Sequence, residues 1–228
     1  MGNGLPNKKQ STNNNQQKTE NKNQKTGNVM FETLNALNRE LSSVILAVQR
    51  SLVQVSNGRR GAGAGTIWRE DGLILTNAHV VRKRKPKVTL GDGRSYPAQL
   101  LAADDKLDLA ALSIDTKNLP TIELGDSKAL KIGQWVTAVG HPWGVLGAAS
   151  VGNVIAVGVP MEWNGSGREM IQVGIQLRPG HSGGPMVDEN GRLVGINTMI
   201  SGPQVGLAIP LHIIQQFLAE QRHAYKSA

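Results

Sequence analysis

From residue 51 to 209 the sequence reads as short apolar runs separated by glycine turns, a pattern that restricts the fold more than any other feature of this chain. Candidate strands fall at 51–56, 63–69, 72–76, 86–91, 96–103 and 108–114. A second group falls at 134–140, 150–158, 170–176, 186–188, 192–200 and 205–209. Asp71-Gly72, Gly91-Asp92-Gly93 and Asn190-Gly191 are turn signals between apolar runs. Strands at this spacing build antiparallel barrels or sandwiches rather than βαβ units. A polar connector, 116–131, separates the two groups. The composition agrees: 27 glycines and 39% hydrophobic residues with only two Phe and two Tyr suit turns around an aliphatic core.

Outside the strands the pattern changes. Residues 1–28 are rich in Asn, Gln and Lys and nearly free of apolar side chains, so a disordered polar tail is expected there. Over 29–50 Met30, Leu34, Leu37, Leu41, Val44 and Ile45 recur at helical spacing, which predicts an amphipathic helix. Such a helix packs on its own domain or on a partner. Pro210 opens a closing helix over 210–228, with Ile213, Ile214, Phe217 and Leu218 on one face. The expected domains are thus the tail 1–28, the helix 29–50, strand groups 51–115 and 132–209 joined by 116–131, and the helix 210–228.

Charge and composition exclude several functions. The net charge of +8 is concentrated in the tail and in the run 82–87, and the remaining body is near neutral. A solvated loop accounts for that run, with an anionic docking patch as the alternative. A nucleic-acid reader would carry Lys and Arg over a whole face, so nucleic acid is not an expected partner. Without cysteine the chain has no disulfide, thiolate metal site or Cys nucleophile. The five histidines show no metal-ligand spacing, so neither metal nor cofactor is expected. No stretch has the apolar length of a membrane span or signal peptide. A cytoplasmic location is therefore expected, or a periplasmic or extracellular one if the N-terminus has been processed.

The stretch Gly180-His181-Ser182-Gly183-Gly184-Pro185 carries the chemical signal. A serine between glycines offers an exposed hydroxyl, and glycine reaches conformations that aim two backbone N–H groups at one point. A serine hydroxyl attacks an amide only with help. His79 would serve as general base, and Asp108 would fix the imidazole tautomer. Singly, each has a structural explanation: His79 ends an apolar strand, Asp108 starts one, and Ser182 sits in a turn.

Together the three resemble the two-barrel serine proteases, which use the order His, Asp, Ser. Thr76-Asn77-Ala78-His79-Val80-Val81, Asp108-Leu109-Ala110 and the 180–185 stretch all look like that family. More narrowly the chain resembles the HtrA/Deg branch over about residues 40–215. The supporting segments are Gly61-Ala62-Gly63-Ala64-Gly65-Thr66-Ile67, Leu124-Gly125-Asp126-Ser127 and Ile132-Gly133-Gln134-Trp135-Val136. Gly140-His141-Pro142-Trp143-Gly144, Gly195-Ile196-Asn197-Thr198 and Gly206-Leu207-Ala208-Ile209-Pro210 complete them. Departures fall at His181 and Arg178, where the branch usually has Asn.

The resemblance implies two six-stranded antiparallel Greek-key barrels with a helix at each end. It implies a serine endopeptidase acting through His79, Asp108 and Ser182, regulated by loop rearrangement or a partner, with Gly180 and Ser182 N–H groups as oxyanion donors. The specificity pocket would be lined by segments 174–178 and 196–200, with Leu177 and Ile196 as walls and Gln176 and Thr198 beside them. It offers no carboxylate, so cleavage after small or medium aliphatic residues of unfolded or specific proteins is expected. Relatives form trimers through N-terminal segments, which points to residues 30–44 for oligomerisation, or to a regulatory partner. Relatives also continue into a peptide-binding PDZ domain, which is not expected here. A latent protease-fold scaffold and an α/β-hydrolase are the rival readings. The second needs its acid and histidine after the serine, where only His212 and His223 stand.

Overall fold

The computed structural model describes residues 8–56, 62–81, 85–163 and 166–221. Residues 1–7 of the expected tail, 82–84 of the basic run and 222–228 of the closing helix lie outside the described residues. The chain divides into two units, Met1–Ser43 and Val44–Ala228.

Helix α1 is Lys8–Gln49. It therefore starts well before residue 29, in a stretch expected to be disordered. The helix runs through Gly27, the one glycine in it, and no proline interrupts 8–49, so a helix nucleated by the apolar stripe can propagate through Lys, Gln and Glu at the cost of about 1 kcal/mol for that glycine. Met30, Leu34 and Leu37 are exposed in the single chain. No helix among the described residues is long and apolar enough to cross a membrane.

Among the described residues thirteen antiparallel strands follow. The first group is β1 Leu52–Ser56, β2 Ala62–Ile67, β3 Leu73–Thr76, β4 Lys87–Thr89, β5 Ser95–Pro97, β6 Gln99–Asp104 and β7 Leu109–Ser113. Their order is β5-β4-β1-β2-β3-β7-β6. The run expected as one strand at 96–103 is two, β5 and β6: the Ala98 N–H still bonds the Pro86 carbonyl at 2.9 Å in the β4–β5 register, and from Gln99 the chain pairs with β7 instead. This one bent run stands at both ends of the order and so wraps the first sheet around its core. The second group is β8 Trp135–Gly140, β9 Ala148–Trp163, β10 Ser166–Val173, β11 Pro185–Asp188, β12 Leu193–Gly202 and β13 Val205–Pro210. It closes as β10-β13-β12-β11-β8-β9.

Alternation along the strands explains why some runs are continuously apolar. On β3, Ile74 points into the first barrel while Leu73 and Leu75 join a separate layer between the barrels. On β7, Ala110 and Leu112 face inward, and Leu109 and Ala111 face the same layer. Both strands are buried on both faces, so neither carries the polar half of the usual alternation. From the second barrel Val139, Met170, Val187, Leu193 and Ile196 enter this layer.

Helix α3, Leu211–Glu220, caps the layer with Leu211, Ile214, Phe217 and Leu218. Its first turn is held from the connector. The Ser127 hydroxyl, itself buried, accepts the His212 N–H at 3.2 Å and bonds the His212 ring at 2.9 Å. Phe217 is among the largest fully buried side chains. Phe217→Ala should cost about 3–5 kcal/mol. In urea unfolding the midpoint should fall at unchanged slope.

Candidate active site

Each candidate residue stands where a strand ends at the layer between the barrels. β3 delivers His79 on α2, the single helical turn Ala78–Val81. Asp108 precedes β7 and holds a left-handed backbone conformation, φ +57°. Donors from the α2 region fix it there. Its carbonyl accepts the Asn77 side-chain amide at 2.9 Å and the Ala78 N–H at 3.2 Å. Its carboxylate accepts the His79 backbone N–H at 3.0 Å. The same carboxylate grips the imidazole, with His79 Nδ1 at 2.8 and 3.0 Å from its two oxygens. Thr198 of β12 donates its hydroxyl to the carboxylate at 2.6 Å. Arg168 of β10 reaches across from the second barrel to the Lys106 carbonyl at 2.9 Å, in the loop that leads to Asp108.

The acid is therefore held ionised. Burial works against its charge, but the His79 ring, the Thr198 hydroxyl and the His79 N–H outweigh it, so its pKa lies below 3.8. With Nδ1 committed to the carboxylate, the other imidazole nitrogen is left to accept a proton.

Ser182 lies in the turn before β11, and the first barrel holds that turn directly. Ala64 N–H on β2 donates to the Ser182 carbonyl at 2.8 Å, and the Thr66 hydroxyl donates to the Gly183 carbonyl at 3.3 Å. Only glycine fits next to the serine: Gly183 has φ +86°, and a Cβ there would meet the Ala64 carbonyl at 2.1 Å. The Ser182 hydroxyl donates to the Thr198 carbonyl at 2.8 Å. Among the described residues no hydrogen bond joins it to His79.

The turn before the serine has a definite handedness. His181 N–H donates to the Arg178 carbonyl at 3.0 Å with Gly180 at φ +107°, so Arg178-Pro179-Gly180-His181 is a turn with Pro second and a positive-φ glycine third, the type II pattern. The Pro179 carbonyl accepts the Trp143 N–H at 3.0 Å, and the His181 carbonyl accepts the Gly184 N–H at 3.0 Å. In a trans peptide C=O and N–H point to opposite sides. The N–H groups of Gly180 and Ser182, which share those two peptides, are thus turned away from the bonded carbonyls.

Ser182, His79, Gly180, Leu177 and Thr198 border one cleft of about 490 Å³. Gln176 and Ile196 do not. Gln176 is exposed and accepts a hydrogen bond from the Arg178 guanidinium, and Ile196 is fully buried in the layer between the barrels. A register shift between Asn197 and Met199 breaks the alternation that would have put Ile196 and Thr198 on one face. Arg178, Met199 and Ile200, which lie in the segments 174–178 and 196–200 expected to line the pocket, border the cleft with Leu177 and Thr198. Among the described residues no group of acidic and imidazole side chains is placed to hold a metal ion.

The two positions that depart from the family pattern have clear surroundings. His181 is 1% exposed, and its Nδ1 lies 3.1 Å from the Arg178 N–H and 3.2 Å from the Arg178 carbonyl. The Arg178 guanidinium stacks on the Trp143 ring at 5.0 Å. Burial depresses the pKa of His181 and of its neighbour His141 below 6.5.

A profile of the trypsin-like peptidase domain matches residues 63–196. The chain belongs to the trypsin-like peptidase family. Within that family the chain is similar to HtrA-type proteases. A probable periplasmic serine endoprotease DegP-like of Halomonas elongata is 41% identical over 178 residues, 74% of this chain and 36% of that protein. Serine protease HTRA1 of Xenopus laevis is 39% identical over 71% of this chain and 36% of its own length. Among solved structures, HtrA-type protease AlgW with tripeptide superposes with TM-score 0.73 at 33% identity, over 77% of this chain and 61% of that one. The chain spans about a third of the length of these curated relatives.

The two depressed histidines set a pH dependence of folding. Below 6.5 the unfolded chain binds protons that the folded chain refuses, so stability present above 6.5 is lost as pH falls towards the folded pKa values. Asp108 acts lower, its contribution being lost only as pH falls below 3.8. Urea unfolding between pH 7.5 and 5 should show falling stability, and His181→Asn should flatten that slope.

Proposed function

We propose that the chain is a serine endopeptidase with Ser182 as nucleophile, His79 as general base and Asp108 as the group that orients the imidazole. The observation that carries this reading is the two-oxygen grip of Asp108 on His79 Nδ1, in a cleft shared with Ser182. Acylation begins when the Ser182 hydroxyl leaves the Thr198 carbonyl and gives its proton to His79 Nε2. The oxygen then attacks the substrate carbonyl carbon, and the resulting oxyanion is met by the N–H groups of Gly180 and Ser182. The imidazolium passes its proton to the leaving amine as the peptide bond breaks, which leaves an acyl-enzyme on Ser182. A water deprotonated by His79 hydrolyses that ester and restores the hydroxyl.

The cleft supports a preference at the residue before the cut. Leu177, Met199, Ile200 and Val80 are apolar, Arg178 is cationic, and none of the bordering residues is a carboxylate. Desolvating a substrate Arg or Lys there would lack a counter-charge. Small or medium aliphatic residues of unfolded or specific proteins are therefore the proposed cleavage points. The substrate class also draws on AlgW, solved with a tripeptide and with a decapeptide. Oligomerisation through residues 30–44 belongs to the same proposal, supported by the exposure of Met30, Leu34 and Leu37. On location, the DegP-like relatives are named periplasmic, which favours that alternative over the cytoplasm.

A second reading, a latent protease-fold scaffold, is favoured by one observation: the Ser182 hydroxyl is bonded to Thr198 rather than to His79. A fluorophosphonate probe separates the two. The enzyme reading predicts a label on Ser182 that Ser182→Ala abolishes, and a wild type that takes no label contradicts it. In a peptide library varied before the scissile bond, kcat/KM should be highest for Ala, Val and Leu. A preference for Arg or Lys would refute the pocket assignment.

A further inference from the structure

The segment 141–147 packs on the oxyanion turn at its buried start, His141 and Pro142, and beyond that is held mainly by hydrogen bonds and the Arg178–Trp143 stack. It includes the 3-10 turn Pro142–Gly144. Trp143, Val145 and Leu146 are 71%, 60% and 72% exposed, so burial does little to fix it beyond that start. At its start His141 N–H donates to the Gly180 carbonyl at 2.8 Å, and Trp143 N–H donates to the Pro179 carbonyl. At its end Gly147 is held from two sides. Its N–H donates to His141 Nδ1 at 3.1 Å, and its carbonyl accepts the side-chain amide of Gln49 at 2.6 Å. Gln49 is the last residue of α1. Gly147 has φ +67°, and a Cβ there would stand 2.9 Å from Gln49 Nε2, so the approach is close. Gln49, His141 and Gly147 border an open cleft of about 290 Å³, and packing on that side does not replace the bond.

We infer that Gln49 is a positioning residue for the oxyanion turn, acting through Gly147 and His141. The inference rests on the reading of Ser182 as nucleophile and Gly180 as oxyanion donor. The Gly180 N–H faces the cleft only while the Pro179 carbonyl stays on Trp143. Glycine tolerates either orientation of that peptide, so the turn does not hold itself. Releasing Gly147 from Gln49 frees the far end of the segment, loosens Trp143, and lets the Pro179–Gly180 peptide rotate its N–H away. Loss of one oxyanion donor slows turnover roughly 100- to 1,000-fold when complete. Partial loss of the turn should cost roughly tenfold in kcat. Substrate binding along the remaining cleft should be spared, with KM changed by less than about twofold.

The test compares wild type with Gln49→Met, which keeps the side-chain length and removes the donor. The same change is then made in a His141→Leu background. The expected result is a tenfold lower kcat for Gln49→Met at unchanged KM and thermal midpoint, shrinking to less than twofold once His141 is gone. Unchanged kcat, or an effect of equal size in both backgrounds, overturns the inference. So does a joint change of kcat, KM and thermal midpoint, which marks general loosening. Amide hydrogen exchange in Ser182→Ala protein reads the link without catalysis. Exchange at Trp143 should quicken when Gln49→Met is added, and unchanged exchange overturns the inference even if activity falls. A wild type that cleaves nothing would sink the catalytic reading, and the exchange result would still decide this one.

Discussion

The structure depends on an apolar layer that is shared by two barrels and belongs wholly to neither. β3 and β7 of the first barrel and β11 and β12 of the second each turn one row of side chains into it. Close packing there leaves little freedom for one barrel to slide on the other. His79 follows β3 and Asp108 precedes β7 at the edge of this layer, while Ser182 precedes β11 and Thr198 lies on β12 opposite. The proposed site is thus assembled where the two barrels meet, with short connections carrying His79, Asp108 and Ser182.

Three polar ties translate that packing into a site. Ala64 holds the Ser182 turn, Thr198 holds the Asp108 carboxylate, and Arg168 holds the loop before Asp108. Each tie crosses from one barrel to the other. Together they fix the Ser182 turn and Asp108, and through Asp108 the His79 ring; in the proposed mechanism the serine hydroxyl is the group that moves.

Much of this was legible in the chain. Doubly buried β3 and β7 appear as unbroken apolar runs, Leu73-Ile74-Leu75 and Leu109-Ala110-Ala111-Leu112, and glycine turns separate nearly every strand. Asp108, His79 and Ser182 stood out because their segments carry a family pattern. What escaped reading is long-range or breaks a period. The register shift between Asn197 and Met199 puts Ile196 and Thr198 on different faces, and no local pattern announces a bulge. The bond from Gln49 to Gly147 joins residues 98 apart. The start of α1 was missed because polar composition argues against burial, whereas a helix already nucleated can propagate through polar residues and even a single glycine.

The central claim is that the residues gathered at the edge of the shared layer cut peptide bonds. The most direct measurement is digestion of an unfolded protein such as reduced casein, with cut sites mapped by mass spectrometry, for wild type against Ser182→Ala. The account predicts cuts after small and medium aliphatic residues by wild type, and turnover lower by about 10⁴-fold or more in the variant. Equal digestion by both proteins, or none by either, would contradict it.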